Sequence, residues 1–165
     1  MAIWPFSLLE KKSLADPTDT EFAIFTRGSS GLEVQAVANA VRLISEGAAT
    51  LDIDVIKRGT ADKVAHPALP LLRGEANLWT SGYEFIRDLT AAACIYDAGG
   101  LAWVNRVNGK PIEAIGYEQG RITYQRASDG SGEPTYSING KPVDASNIIH
   151  LRGPFSRSPV SLACN

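Results

Sequence analysis

The side chains that could perform a reaction are few, and the strongest pair is Cys94 with His150. A thiol that has an imidazole as its base is the nucleophile of cysteine hydrolases. Cys94, however, follows the small residues Ala91–Ala93, a run that is typical of a helix interior, where a thiol is buried and inert. His150 stands in the apolar run Ile148–Leu151, which is typical of a strand. The sequence therefore favours structural roles for both residues, and a small cysteine hydrolase that uses them is the alternative.

Two aspartates on one predicted strand could also act together. Asp52 and Asp54 alternate with Leu51, Ile53 and Val55, so the two carboxylates are predicted to share one face of the strand. The apolar residues account for the buried face, and the carboxylates are therefore predicted to face solvent. The sequence has no phosphate-binding glycine loop, and its two cysteines and two histidines lack the spacing of metal ligands. No cofactor, metal or small-molecule substrate is predicted.

The composition indicates a folded domain of ordinary size. The chain has 165 residues, of which 44% are hydrophobic and 21% are charged. A formal net charge of -2 predicts no general attraction to nucleic acid or to an anionic membrane. No run reaches the roughly 20 apolar residues of a membrane helix, and the N-terminal segment lacks the features of a signal peptide. We therefore expect a reducing cytoplasm and free thiols.

The arginines of the C-terminal half are predicted to be dispersed over the surface and not to form a basic patch: Arg121, Arg126, Arg152 and Arg157.

The clearest element is a helix predicted over residues 81–97. Ser81 and Glu84 have the spacing of a capping box, in which each side chain accepts a hydrogen bond from the backbone of the other residue. Phe85 and Leu89 follow at helical intervals and are predicted to face the core. A helix with this start signal and this apolar face is well suited to pack on a sheet.

The segment before it is predicted to contain a helix, a strand and a short helix. The first helix is predicted to begin at Ser30, which has Glu33 at the capping-box spacing. Residues 51–57 alternate between apolar and polar types and predict a strand. Pro67 is well placed at the first position of a short helix that runs through Leu72.

From Leu101 to Arg152 the pattern changes to about five short strands. Asn108-Gly109 and Asn139-Gly140 lie between apolar runs and predict hairpin turns. The whole order predicts an α+β fold with helices packed on one face of a largely antiparallel sheet. The side chains predicted to form the structural core are Val34, Val37, Val41, Ile44, Trp79, Phe85, Leu89 and Trp103.

Three regions are predicted along the chain. Residues 1–29 are predicted to be a flexible N-terminal arm, because proline, glycine and polar residues interrupt any period. Residues 30–155 are predicted to form the α+β domain. Residues 156–165 are predicted to be the truncated start of a further element, since the helix or turn entry at Ser158-Pro159 is followed almost at once by the last residue.

Several short segments also stand in an informative order. They are the helix and strand of Val34–Gly59, then His66-Pro67 with Leu71-Leu72, then Asn77, Thr80 and Glu84-Phe85, then Gly99–Trp103, and finally Asn147–Gly153 with Ser158-Pro159-Val160. In this order and spacing they resemble the N-terminal, wing-like part of the portal proteins of long-tailed bacteriophages and gene transfer agents. The sequence departs from the family pattern at Leu78, where a proline is usual, and at Asp52, where a proline usually follows the leucine.

The resemblance implies a structural subunit and not an enzyme. Portal proteins form a ring, typically of twelve subunits, at one vertex of the virion head, and DNA is packaged and ejected through it. The resemblance therefore implies self-association when the protein is full-length, contacts with terminase, capsid and neck proteins, and phage DNA passing through the channel. It implies assembly in the cytoplasm of the host bacterium and no membrane partner. Members of the family are more than twice as long, so this chain would represent their outer, wing-like portion. A stand-alone adaptor or binding domain that has the fold of the portal wing is a further alternative.

Overall fold

The computed structural model describes residue 32 and residues 34–118, 120–126, 134–153 and 157–163. The predicted arm, residues 1–29, lies outside the described residues. The helices are α1 (Gln35–Ala49), α2 (Leu69–Arg73), α3 (Gly82–Ile95) and α4 (Pro159–Ala163). The strands are β1 (Glu75–Asn77), β2 (Thr80–Ser81), β3 (Gly100–Val107), β4 (Lys110–Gly116), β5 (Ile122–Arg126), β6 (Pro134–Ile138), β7 (Lys141–Val143) and β8 (Ile148–Leu151).

The strands pair only in antiparallel fashion within the described residues. One sheet has the order β4-β3-β8, a second has the order β5-β6-β7, and β1 pairs with β2. Both Asn-Gly turns are confirmed: Asn108 and Gly109 have φ of 51° and 76°, and Asn139 and Gly140 have φ of 50° and 78°. Two successive positive φ values are what a tight hairpin turn with the twist of its strands requires. The prediction of a largely antiparallel arrangement is therefore confirmed.

The core lies where α3 packs against the β4-β3-β8 sheet. Phe85 and Leu89 of α3 are buried together with small residues of the strands, Ala102 and Ala114. A Cβ at Gly100 would collide with the backbone carbonyl oxygen of Leu89. The absence of large side chains at these strand positions lets the helix backbone come close to the sheet. This layer of helix on antiparallel sheet confirms the α+β fold class.

The helix α1 packs on α3, and its inner face departs from the predicted one at Ile44. Val41 and Ser45 are the buried residues of α1, whereas Ile44 is 54% exposed. The core assignment of Ile44 is therefore wrong. Ser45 tolerates burial because its hydroxyl donates a hydrogen bond to the Arg42 carbonyl oxygen at 3.1 Å. Val34 and Val37 are half-buried, so the inner face is centred close to Val41 and leaves Ile44 outside.

The start of α1 also differs from the prediction. The helix begins at Gln35, and its N-cap is Val34, whose side chain makes no capping hydrogen bond. The predicted capping box of Ser30 and Glu33 falls outside the described residues. The short helix α2 likewise begins at Leu69 instead of Pro67, and the carbonyl oxygen of His66 accepts the N–H of Leu69 at 3.0 Å.

The strand predicted over residues 51–57 does not form. The segment makes a single antiparallel bridge, between Ile56 and Lys63, within a ribbon-like turn. The carbonyl oxygen of Ile53 is bound by the guanidinium of Arg73, at 2.6 Å. A side chain therefore binds the backbone of this segment at Ile53. Burial does not follow the predicted alternation, since Leu51 is exposed and Asp54 is half-buried.

Candidate interaction surfaces

The turn between β1 and β2 is held by one buried amide. Asn77 is buried, and its Nδ2 donates a hydrogen bond to the Ala114 carbonyl oxygen at 2.8 Å. Its Oδ1 accepts the backbone N–H of Trp79 at 3.1 Å. One end of the amide therefore fixes the turn to β4, and the other end closes the turn itself. Asn77, the asparagine of the resembled pattern, thus has a structural role in this chain.

This turn presents two large apolar side chains to solvent. Leu78 is 93% exposed and Trp79 is 69% exposed. The prediction that Trp79 belongs to the core is therefore wrong: its backbone is bound by Asn77, and its side chain is mostly open to solvent. Tryptophan on a well-ordered surface is enriched at the energetic centres of protein interfaces. We call Leu78 and Trp79 the turn surface.

A second apolar surface lies on the outer side of α1. Leu43 is 66% exposed, Ile44 is more than half exposed, and Leu51, just after the helix, is also exposed. We call Leu43, Ile44 and Leu51 the α1 surface. Leu78, Trp79, Leu51 and Leu43 are the most exposed of the large apolar side chains in the described part of the chain.

The capping box of α3 is confirmed. The Ser81 hydroxyl accepts the Glu84 N–H at 3.2 Å, and the Glu84 carboxylate accepts the Ser81 N–H at 3.0 Å. The donation from Ser81 lowers the pKa of Glu84. Phe85 (3% exposed) and Leu89 lie in the core one turn and two turns further on, and Trp103 is half-buried. The cap therefore sets where the core face of α3 begins.

The geometry of Cys94 and His150 does not favour the hydrolase alternative. Cys94 is buried, and burial raises the pKa of its thiol, which is the opposite of what a nucleophile needs. The Nε2 atom of His150 lies 2.8 Å from the Ala98 carbonyl oxygen, and its Nδ1 atom lies 3.1 Å from the Tyr136 hydroxyl. Both ring nitrogens are therefore engaged in bonds that hold the fold together.

The two aspartates of residues 51–57 do not act as a pair. Asp54 forms ion pairs with Lys63, at 2.5 Å, and with Arg73. The hydrogen bond from Lys63, together with both positive charges, lowers the pKa of Asp54. Asp52 is exposed, as predicted, but Asp54 is half-buried and ties the ribbon-like turn to α2.

A groove of about 430 Å³ runs along α3, beside β3 and the connection from β4 to β5. Among the described residues that line it, Asp88 and Glu118 are the charged ones, and there is no cysteine, histidine, lysine or arginine. In the part of the chain that the structure covers, no group of three histidine, cysteine or acidic side chains could hold a metal ion. The described helices include none that is both long enough and apolar enough to cross a membrane.

Two of the four arginines have local roles. The guanidinium of Arg152 lies 5.6 Å from the centre of the Tyr124 ring, which is within the range of a cation–π contact. Arg157 donates to the Ser161 hydroxyl at 3.4 Å. The side chain of Arg126 lies outside the described part of the chain.

Sequence reasoning missed the contact that docks α4. The carboxylate of Asp97 accepts the Ser158 N–H at 2.9 Å and the Ser161 hydroxyl at 3.2 Å. The Ser158 hydroxyl accepts the Ser161 N–H at 2.9 Å, so Ser158 caps α4. Ser158-Pro159 is a recognisable helix start, but nothing in the sequence indicates that its partner is an aspartate 61 residues earlier.

The fold is an α+β domain that exposes apolar side chains, and its described residues bring together no catalytic group of side chains. The sequence model of the phage portal protein family matches residues 35–165, which is most of the chain. The chain therefore belongs to the phage portal protein family.

A solved structure supports the same fold. The HK97 family phage portal protein from Corynebacterium diphtheriae superposes with a TM-score of 0.57 at 18% sequence identity. The match covers 81% of this chain and 42% of that chain. The chain thus spans less than half the length of the portal protein that it matches. A search of curated proteins found no significant match.

Proposed function

We propose that this chain is a structural subunit of a phage or prophage portal, or the wing-like part of one. The observation that carries the proposal is the family match over residues 35–165. The shared fold of the portal protein from Corynebacterium diphtheriae supports it. The role is the assembly of the ring at the head vertex, through which DNA is packaged and ejected.

The open apolar surfaces support a role in assembly. A ring is closed by head-to-tail contacts, in which two different surfaces of one subunit meet those of its two neighbours. The turn surface and the α1 surface are two such groups on different elements, β1–β2 and α1. We propose that they contribute to contacts with neighbouring subunits or with terminase, capsid and neck proteins.

The electrostatics support passage of DNA in preference to binding of DNA. The net charge is -2, so the chain has no overall attraction for a polyanion. A channel subunit that held DNA tightly would resist its movement. We propose that phage DNA passes the assembled ring without being gripped by this part of the subunit.

The role that we propose is not enzymatic. The buried thiol of Cys94 has a raised pKa, and His150 is engaged on both ring nitrogens. The proposed location is the head vertex of the virion, after assembly in the cytoplasm of the host bacterium.

Induction of the phage or prophage that encodes the chain tests the proposal. We expect purified particles to contain the chain at a small fixed ratio to the major capsid protein. Deletion of its gene should give heads without DNA, and the gene should lie beside terminase and capsid genes. A matched deletion in a tail-fibre gene should leave DNA-filled heads. Particles that fill with DNA normally in the absence of the chain would contradict a portal role.

A further inference from the structure

The β5-β6-β7 sheet meets the rest of the domain through a cluster of rings. The His150 ring centre lies 4.7 Å from that of Tyr124 and 5.7 Å from that of Tyr136, both in edge-on geometry. The Tyr136 hydroxyl lies 3.1 Å from His150 Nδ1. Tyr136 is on β6 and is buried, whereas His150 is on β8 of the other sheet. One histidine therefore joins the two sheets.

The same histidine also holds the turn that follows α3. His150 Nε2 lies 2.8 Å from the Ala98 carbonyl oxygen. A carbonyl oxygen can only accept, so Nε2 carries a proton; in the neutral ring Nδ1 is then the acceptor of the Tyr136 hydroxyl. The turn itself is closed by the N–H of Gly99, which donates to the Tyr96 carbonyl oxygen at 2.9 Å. Gly99 has a φ of +81°, a conformation that glycine adopts without strain.

The residue before Ala98 in this turn is Asp97, which docks α4. Its carboxylate accepts the N–H of Ser158 at 2.9 Å and the hydroxyl of Ser161 at 3.2 Å. Ser158 is completely buried at this contact. The two adjacent residues of one short turn thus bind two consecutive elements of the chain: Ala98 binds His150 of β8, and Asp97 binds Ser158 and Ser161 at the start of α4.

We propose that these contacts form a mechanical link in which the position of the β5-β6-β7 sheet and the docking of α4 depend on each other. The link runs from Tyr136 through His150 to Ala98 and Asp97, and then to Ser158. Displacement of the sheet pulls on His150, and the closed turn passes that displacement to Asp97. Loosening of α4 acts on the sheet through the same turn in reverse, because coupling free energy is reciprocal. This inference goes beyond a portal role and does not depend on ring formation.

Hydrogen exchange measured by mass spectrometry on the whole chain tests the link. The variant Tyr136→Phe removes the hydroxyl that binds His150 and keeps the ring. We expect exchange of the amides in residues 158–163 to rise about fivefold or more, the lower end of typical coupling between sites. The amides of α3 and β3 should change little.

The matched control is Thr123→Val. It removes a hydroxyl hydrogen bond of 2.8 Å, between Thr123 and Ser137, from the same sheet but away from His150. It leaves the Tyr136–His150 contact intact, so we expect exchange in residues 158–163 to rise clearly less than in Tyr136→Phe. An increase in Tyr136→Phe that is confined to the β5-β6-β7 sheet would overturn the link, as would an equal effect of the control on α4.

The reciprocal variant decides the matter if Tyr136→Phe loosens the whole domain. Asp97→Asn weakens the docking of α4 and leaves every residue of the β5-β6-β7 sheet intact. The link requires exchange in β5 and β6 to rise with it. Unchanged exchange in those strands would show that the two contacts are independent.

Discussion

Phe85 and Trp79 lie six residues apart and have similar side chains, yet only Phe85 is in the core. Phe85 faces the small residues Ala102 and Ala114 across the helix–sheet contact. Trp79 lies in a turn whose backbone is bound by Asn77, and its ring is mostly open to solvent. The environment of each residue, and not its type, therefore sets what its substitution should cost.

Phe85→Ala should lower the free energy of unfolding by about 3–5 kcal/mol, since it leaves a cavity at a fully packed position. Trp79→Ala should change the free energy of unfolding by no more than about 0.5 kcal/mol, as is usual at an exposed position. Urea denaturation of both variants measures the difference. Equal losses would contradict the positions of the two rings.

Asn77→Asp should destabilise the domain by about 1–3 kcal/mol at neutral pH, because it removes the donor to the Ala114 carbonyl oxygen from a buried site. The charged carboxylate would also face that oxygen. Asn39→Asp, on the exposed side of α1, is the matched control and should be close to neutral. Comparable urea midpoints for the two variants would show that the Asn77 amide does not hold the turn.

Cys94 should react slowly with iodoacetamide in the native protein, because the thiol is buried and its pKa is raised. The measurement uses a Cys164→Ser background, so that a single thiol is followed. Labelling in urea provides the reference rate for the open thiol. A native rate faster than that reference would indicate an activated nucleophile and would favour the hydrolase alternative.

At the scale of elements, helix ends are the points where local sequence and distant contacts meet. The cap of α3 is entirely local, since Ser81 and Glu84 are three residues apart. The cap of α4 depends on Ser158 and on Asp97, which lies in the turn after α3. The start of α3 is therefore predictable from sequence alone, whereas the cap of α4 is complete only in the folded domain.

The docking of α4 should weaken in acid. The hydrogen bond from the Ser158 N–H lowers the pKa of Asp97 in the folded state. The stabilisation is therefore present above the pKa of an unfolded aspartate, about 3.9, and is lost as the pH falls through the lower folded-state pKa. The Ser158 amide resonance, followed by NMR from neutral to acidic pH, should titrate below that value. The same resonance in Asp97→Asn should show no such step, and an unchanged titration there would assign the effect to another group.

At the scale of the whole molecule, the apolar surfaces lie outside the core that α3 forms with the sheet. The turn surface extends from β1–β2, and the α1 surface lies on a helix that packs on α3. Neither contributes to the buried cluster around Phe85. Both are therefore free to contact partners without disturbing the fold.

Replacement of both Leu78 and Trp79 by serine should weaken assembly and leave the domain folded. Sedimentation velocity over a range of concentrations measures self-association, and circular dichroism checks the fold. Val107→Ser is the control, because Val107 is another exposed apolar residue, at 51%, but lies on the β3–β4 hairpin. Association that is unaffected by the double substitution would exclude the turn surface from the subunit contact.

The parts of the fold that the sequence alone determined rest on short-range chemistry. The two Asn-Gly turns, the capping box of α3 and the strands on either side of each turn were all predictable, because the residues that form them are neighbours in sequence. The segments that resemble portal proteins were recognisable because each is a short run of neighbouring residues and the runs occur in a fixed order. Together they were enough for the α+β class and for the family.

Only the tertiary structure decided which face of α1 is inside, that Trp79 is outside, that residues 51–57 form no strand, and that Asp97 holds α4. Periodicity alone placed Val41 correctly on the inner face of α1, but it also placed Ile44 there and did not indicate that Ser45 is buried. These outcomes depend on contacts between groups that are far apart in sequence. Examples are the hydrogen bond from Arg73 to the Ile53 carbonyl oxygen and the hydrogen bond from the Ser158 N–H to Asp97. Such contacts form only when folding brings distant donors and acceptors together, so local residue patterns do not predict them.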